Sequence, residues 1–206
     1  MMMIRQASVT VMLCLAMSLA IAKTSANPSV AIHEITFDGC HFKMADPDQG
    51  RITGASYFAD LNPNARHPFE TWIQFSCENP ATPEVYLKLA SIKLTGRGWV
   101  LDTSKEDPNY PSPKTTFYAL HGKDWEGAGT TQDETDGDEN RRTRAFNFCI
   151  PHKQFALCGS IQSVAYLTWP KESTLPQVIQ LLQSIEFIDD AQVAPANSST
   201  APSPNH

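Results

Sequence analysis

Charge is scarce in this 206-residue chain: Asp, Glu, Lys and Arg make up 18% of it, while 41% is hydrophobic. A disordered chain needs the reverse balance, so most of the molecule folds. Long apolar runs are missing after the first 22 residues, which excludes a spanning helix from the rest of the sequence. Basic excess is missing too. With 16 Lys and Arg against 22 Asp and Glu the net charge is −6, and such a chain does not seek nucleic acid. Catalytic signatures are absent as well: there is no Gly-x-Ser-x-Gly, no His-Glu-x-x-His, no Ser-x-x-Lys and no Gly-rich phosphate loop. No cofactor is expected, and the length suits one domain rather than two.

What is present begins with an export signal. Arg5 precedes an apolar stretch over residues 7–22, and small residues follow at Ala20, Ala22 and Ala26. The stretch is too short, and too interrupted by Ser8, Thr10 and Ser18, to span a bilayer. Residues 1–26 therefore read as a cleaved signal peptide, and the protein as periplasmic or secreted. Arg5 and Lys23 leave with the leader and no acid does, so the net charge becomes −8.

Cysteine usage agrees with export. Four cysteines remain, Cys40, Cys77, Cys149 and Cys158. An even number in an oxidising compartment implies disulfides, for which four cysteines allow three connectivities. Cys149 and Cys158 lie in apolar runs on either side of the turn-like Pro151-His152-Lys153-Gln154, so a hairpin places them opposite one another. Cys40 with Cys77 follows by elimination. Pairing of sulfurs also outweighs a zinc site built on Cys149-x-x-His152, which lacks a fourth ligand.

The dominant period in the chain is two. Ile35 and Phe37, residues 72–75, the alternation Val85-Leu87-Leu89, and residues 99–101, 115–120, 144–150 and 160–168 all read as strands. One helix is expected: Thr174 caps it, Pro176 suits its first turn, and Val178, Leu181, Leu182 and Ile185 share a face. A short strand over 186–188 follows. The expectation is a single α+β domain over 27–190, largely antiparallel with a C-terminal amphipathic helix, and a Pro-rich disordered tail over 191–206.

Two segments invite a functional reading. Residues 130–140 hold Asp133, Glu134, Asp136, Asp138 and Glu139 around Gly137, just before Arg141, Arg142 and Arg144. The calcium-loop spacing fails at its first and last positions, so this reads as a solvated acidic loop and no metal site is expected. The second segment sets tryptophan among glycines, in Gly96-Arg97-Gly98-Trp99 and in residues 122–129 around Trp125. Aromatic anchors with a charged rim are the usual make-up of a protein interface. Trp99 and Trp125, with Asp124, Glu126, Asp133, Glu134, Asp136, Arg141 and Arg142, are therefore the candidate binding residues.

Trp125-Glu126-Gly127-x-Gly129, the strand pair over 144–150 and 157–167, and the ending from Leu175 to Phe187 resemble the Mog1/PsbP-like α/β sandwich. The resemblance covers roughly the last third of the chain. It implies a non-enzymatic exported protein, since secreted bacterial members include immunity proteins that neutralise effectors of type VI secretion. The function expected is protein binding, with a basic toxin as the partner. The alternatives are a secreted hydrolase, assembled in space from a carboxylate and one of His67, His121 or His152, and an envelope accessory factor.

Overall fold

The computed structural model describes residues 30–104 and 114–189, so the expected leader and tail lie outside the described residues. Strand β1 (Ala31–Phe37) turns through Asp38-Gly39 into β2 (Cys40–Asp46), and both turn residues have positive φ, 47° and 90°. Asp-Gly favours this backbone because glycine has no Cβ to clash and the short Asp side chain tolerates it. The short β3 (Arg51–Thr53) and β4 (Ser56–Ala59) follow, then β5 (Thr71–Glu78), helix α1 (Pro83–Ala90) and a hairpin of β6 (Ile92–Thr95) with β7 (Gly98–Leu101). The rest of the chain gives β8 (Thr115–His121), β9 (Glu126–Asp133), β10 (Thr143–His152), β11 (Phe155–Tyr166), helix α2 (Leu175–Gln183) and β12 (Glu186–Phe187).

The strands assemble into a seven-stranded antiparallel sheet ordered β3-β4-β5-β11-β10-β9-β8 and a three-stranded sheet ordered β1-β2-β12. The main core lies between them. Ile35, Phe42 and Met44 of the small sheet meet Ile73, Phe75, Phe146, Phe148, Ile150, Leu157 and Ile161 of the large one, and Val178, Leu181 and Leu182 of α2 close the side. The opposite, outer face of the large sheet is covered over only part of its width. There Tyr86 and Ala90 of α1 and Ile92 of β6 sit on Ala128, Cys149, Ala156 and Cys158. The architecture is thus mostly antiparallel sheet with few helices, as expected for an α+β domain.

Three expectations need correction. Residues 83–90 are a helix and not a strand. Pro83 and Glu84 suit a first turn, Ser91 closes the end in the left-handed conformation, and the stripe that packs is Tyr86 with Ala90 flanked by Val85 and Leu89, four residues apart in each case. The acidic loop begins later than expected, because 130–133 belong to β9. Thr130 and Thr131 are buried there, and the Thr130 hydroxyl donates to the Ala90 carbonyl at 2.8 Å, beneath the end of α1. Thr174 sits at the start of α2 but does not cap it with its side chain; the neighbouring Ser173 hydroxyl accepts from the Leu175 N–H at 3.2 Å.

Both disulfides are present, Cys149–Cys158 and Cys40–Cys77. The first joins directly opposite residues of the β10–β11 hairpin, whose turn is only Lys153-Gln154. The second ties β2 to β5 and so links the two sheets. At its other end β2 is held by a buried carboxylate. Asp46 is 0% exposed and accepts from the Tyr57 hydroxyl at 2.9 Å and from the N–H groups of Asp48 and Gly50 at 2.9 and 2.6 Å, while His33 Nε2 lies 2.9 Å away. Burial alone pushes this carboxyl up, but the hydrogen bonds outweigh it and hold Asp46 below the ordinary carboxylate range.

Two measurements follow from these links. Closing the longer loop removes more entropy from the unfolded chain, so losing Cys40–Cys77 costs about 4 kcal/mol and losing Cys149–Cys158 about 2.5 kcal/mol; denaturant midpoints of Cys77→Ser and Cys158→Ser test that order. Asp46 binds its proton more weakly folded than unfolded. Its contribution is present above the unfolded value near 4 and is lost as pH falls through the folded value. Urea titrations across the acid range should show Asp46→Ala about 3 kcal/mol less stable at neutral pH, with a flatter acid limb.

Candidate functional site

Alternation along the strands sorts the side chains of the large sheet into two faces. On β5, Thr71, Ile73 and Phe75 point into the core, which leaves Trp72, Gln74 and Ser76 on the outer face. The registers then line up outer-face residues in rows across the sheet. One row is Ser76, Cys158, Cys149 and Ala128, and α1 covers it. The next is Ser56, Gln74, Ser160, Asn147, Thr130 and Phe117. The third pairs Arg51 with Phe58 and Phe58 with Trp72 at one end, and Ala145 with Gln132 at the other. The β5–β11 pairing ends at Gln74 opposite Ser160, and Gln162, two residues further along β11, begins the bulge opposite Ala145.

Part of this face stays open. Gln74, Ser160 and Gln162 are exposed, and among the described residues no side-chain hydrogen bond joins them, Asn147 or Gln132 to another group. Leu89 of α1 overhangs a depression of about 210 Å³ floored by Gln74, Ser76, Gly159 and Ser160. A second depression of about 470 Å³ has Gln132, Ala145 and Gln162 as its floor and Glu134, Thr135 and Asp136 as its rim. At the β3 end the side chains stack. The Arg51 guanidinium lies 4.1 Å from the Phe58 ring centroid, and Phe58 and Trp72 are parallel within 11° at 5.7 Å. Phe58 covers one face of the indole, and the opposite face has no ring partner among the described residues, in keeping with an exposure of 40%.

No family model, no curated protein and no solved structure matches this chain. The chemistry must therefore be read from the side chains. The second and third rows carry amides, hydroxyls and three aromatic rings, and their only charged member, Arg51, is already paired with Glu70 at 3.3 Å. Such a surface offers flat apolar area and paired donors and acceptors.

The residues singled out by sequence are not brought together here. Trp99 lies on β7 and packs edge-on against Tyr86, ring centroids 5.0 Å apart, in the cluster on the outer face. Trp125 belongs to the main core on the other side of the sheet, is 7% exposed, and donates its indole N–H to the Ile185 carbonyl at 2.8 Å. Gly122 makes room for that ring, since a Cβ there would come within 2.1 Å of it. No single interface is built on both tryptophans, because the sheet separates them. Asp124 and Glu126 flank Trp125 and are exposed.

The acidic segment is more ordered than a free loop. Asp133 accepts from Nε and Nη2 of Arg144, Glu134 accepts from the Thr143 N–H at 3.1 Å, and Arg142 reaches the carbonyls of Asp136 and Gly137 at 3.3 and 3.4 Å. Arg141 and Asp136 stay exposed. No cluster of metal-ligating side chains occurs among the described residues. Of the histidines expected to serve a hydrolase, His67 pairs with Glu172 at 3.2 Å and stacks on Trp169, His152 pairs with Asp189 at 2.9 Å and stacks on Phe187, and His121 lies 4.0 Å from Glu126. Each of the three thus lies beside a different carboxylate. Sequence reading missed Trp72, although its signal was visible: it is a large aromatic in phase with Gln74 and Ser76 and out of phase with Ile73 and Phe75.

The placement of Trp125 has a measurable consequence. Truncating a buried indole that also satisfies a carbonyl leaves a cavity and an orphan acceptor, so Trp125→Ala should cost about 3 kcal/mol or more. Asp124→Ala and Glu126→Ala should cost less than about 0.5 kcal/mol. Equilibrium denaturation of the three variants tests the contrast.

Proposed function

We propose that the protein is an exported, non-catalytic binding domain whose working surface is the open part of the outer face of the large sheet. Two disulfides are compatible with an extracellular or periplasmic protein, and no helix among the described residues is long and apolar enough to cross a membrane. The observation that carries the reading is the composition of the face. A solvated antiparallel sheet face ordinarily mixes charged and polar side chains. Here two exposed rows hold unpartnered amides beside an exposed indole.

A second reading, binding of a basic protein of the toxin type, is supported by the exposed carboxylates of Glu134 and Asp136 at the rim and of Asp138 and Glu139 in the segment that follows. Charge on such a rim accelerates association with a basic partner and is screened by salt.

One experiment separates the two. Arrays of glycans, peptides and basic proteins are probed with the wild type, with a face variant (Trp72→Ser, Gln162→Ala) and with a rim variant (Glu134→Gln, Asp136→Asn). Loss of the bound ligand in the face variant with retention in the rim variant is the expected result. Binding that survives the face variant and disappears in the rim variant transfers the function to the acidic segment.

A further inference from the structure

We propose that the open face binds a neutral glycan, one pyranose ring stacking on the free side of the Trp72 indole while its hydroxyls are held by Gln74, Asn147, Ser160 and Gln162. This deepens the reading of the face as the working surface and rests on it. A pyranose has two chemically distinct aspects, a face of C–H groups and a periphery of hydroxyls. The π face of an aromatic ring is electron-rich and attracts polarised C–H groups, and the exposed indole is stacked on Phe58. The backing matters, since a ring braced by a stacked neighbour loses little rotational freedom when a ligand arrives.

The hydroxyl periphery finds matching groups in the adjacent rows. A sugar hydroxyl donates one hydrogen bond and accepts others, and a carboxamide does both through one side chain. Gln74 and Asn147 flank Ser160 in one row, and Gln162, two residues along β11 from Ser160 and exposed like it, lines the second depression with Ala145 and Gln132. From β5 to β9 the rows cross three strand spacings, about 14 Å, so the surface is long enough for a short oligosaccharide.

Charge decides the class of ligand. Between Trp72 and Gln132 the two rows contain no ionisable side chain, and Arg51 is engaged by Glu70 and Phe58. The rim adds Glu134 and Asp136, and the chain as a whole carries −6. A polyanion, whether nucleic acid or uronic acid polymer, meets the acidic rim and a single cation, Arg51, already paired with Glu70; an uncharged, hydroxyl-rich polymer meets complementary neutral groups. An extended peptide would add to a free sheet edge, and the edges of this sheet are β3 and β8, whereas Gln74, Ser160 and Asn147 lie on interior strands. The amides and the serine at the centre of the face also differ from the apolar centre of a protein interface.

The test is an array of neutral and anionic glycans spanning hexose, pentose, N-acetylhexosamine and uronic acid oligomers, followed by calorimetric titration of each hit with the full disulfide-bonded protein. At least one neutral oligomer should bind. Trp72→Ala should weaken it about tenfold, Trp72→Tyr should restore most of the loss, and Gln162→Ala should weaken it severalfold, all with unchanged melting temperature. Binding confined to uronic acid oligomers, or neutral binding indifferent to Trp72→Ala, overturns the proposal. If no glycan binds while a peptide or protein ligand is lost in Trp72→Ala, the ligand class is wrong and the face stands. If no ligand of any class responds to Trp72→Ala, the face itself is not the working surface.

Discussion

The β10–β11 hairpin is the constraint on which the rest of the structure depends. Its residues pair from Thr143 opposite Tyr166 to His152 opposite Phe155, with one irregularity between Arg144 and Phe146, and it occupies the middle of the seven-stranded sheet. Its inward side chains, among them Phe146, Phe148, Leu157 and Ile161, form the floor of the main core, and its outward Cys149 and Cys158 form the floor beneath α1. The neighbouring strands accommodate those rings with glycine. A Cβ on Gly129 would meet the Phe146 ring at 2.6 Å and one on Gly159 the Phe148 ring at 2.5 Å. Large inward rings on one strand thus require small residues on its neighbours, a local rule for filling a core at crystal-like density.

That rule explains what the sequence disclosed and what it concealed. The hairpin itself was legible, because its two apolar runs and short polar turn are contiguous, and the same contiguity led to the Cys149–Cys158 pairing. The end of the chain was legible for similar reasons: the apolar stripe of α2 and the return strand are local patterns. Strand β9 was harder, since Gly127, Ala128 and Gly129 look like a turn until the β10 backbone beside Gly127 and the Phe146 ring beside Gly129 are seen. Helix α1 was misread because Val85, Leu87 and Leu89 satisfy a period of two, whereas the contacts that decide it involve Tyr86 and Ala90. The Asp38-Gly39 turn and the alternation of Cys40, Phe42 and Met44 carried a hairpin signal that needed no tertiary knowledge.

The functional surface was less legible than the fold, and the reason is physical. Tryptophans among glycines suggest exposure, but glycine also admits a ring into a core, and this is the case for Trp125. Whether a given aromatic is inside or outside depends on which face of the sheet the helices cover. Coverage depends on the long-range placement of α1 and of the β6–β7 hairpin, which fill only part of the outer face. Trp72 is exposed because α1, at eight residues, is too short to reach across all seven strands.

Strand β2 is fastened at its beginning by Cys40 to β5 and at its end by Asp46 to Tyr57 of β4, yet its two sheet neighbours come from opposite ends of the chain. β1 precedes it immediately, whereas β12 follows it by some 140 residues. During any vectorial emergence of the chain, the edge of β2 along Phe42 and Lys43 therefore remains unpaired until nearly the last described residue has appeared. The small sheet is the final part of the molecule to close, and Glu186 and Phe187, two residues long, act as its latch.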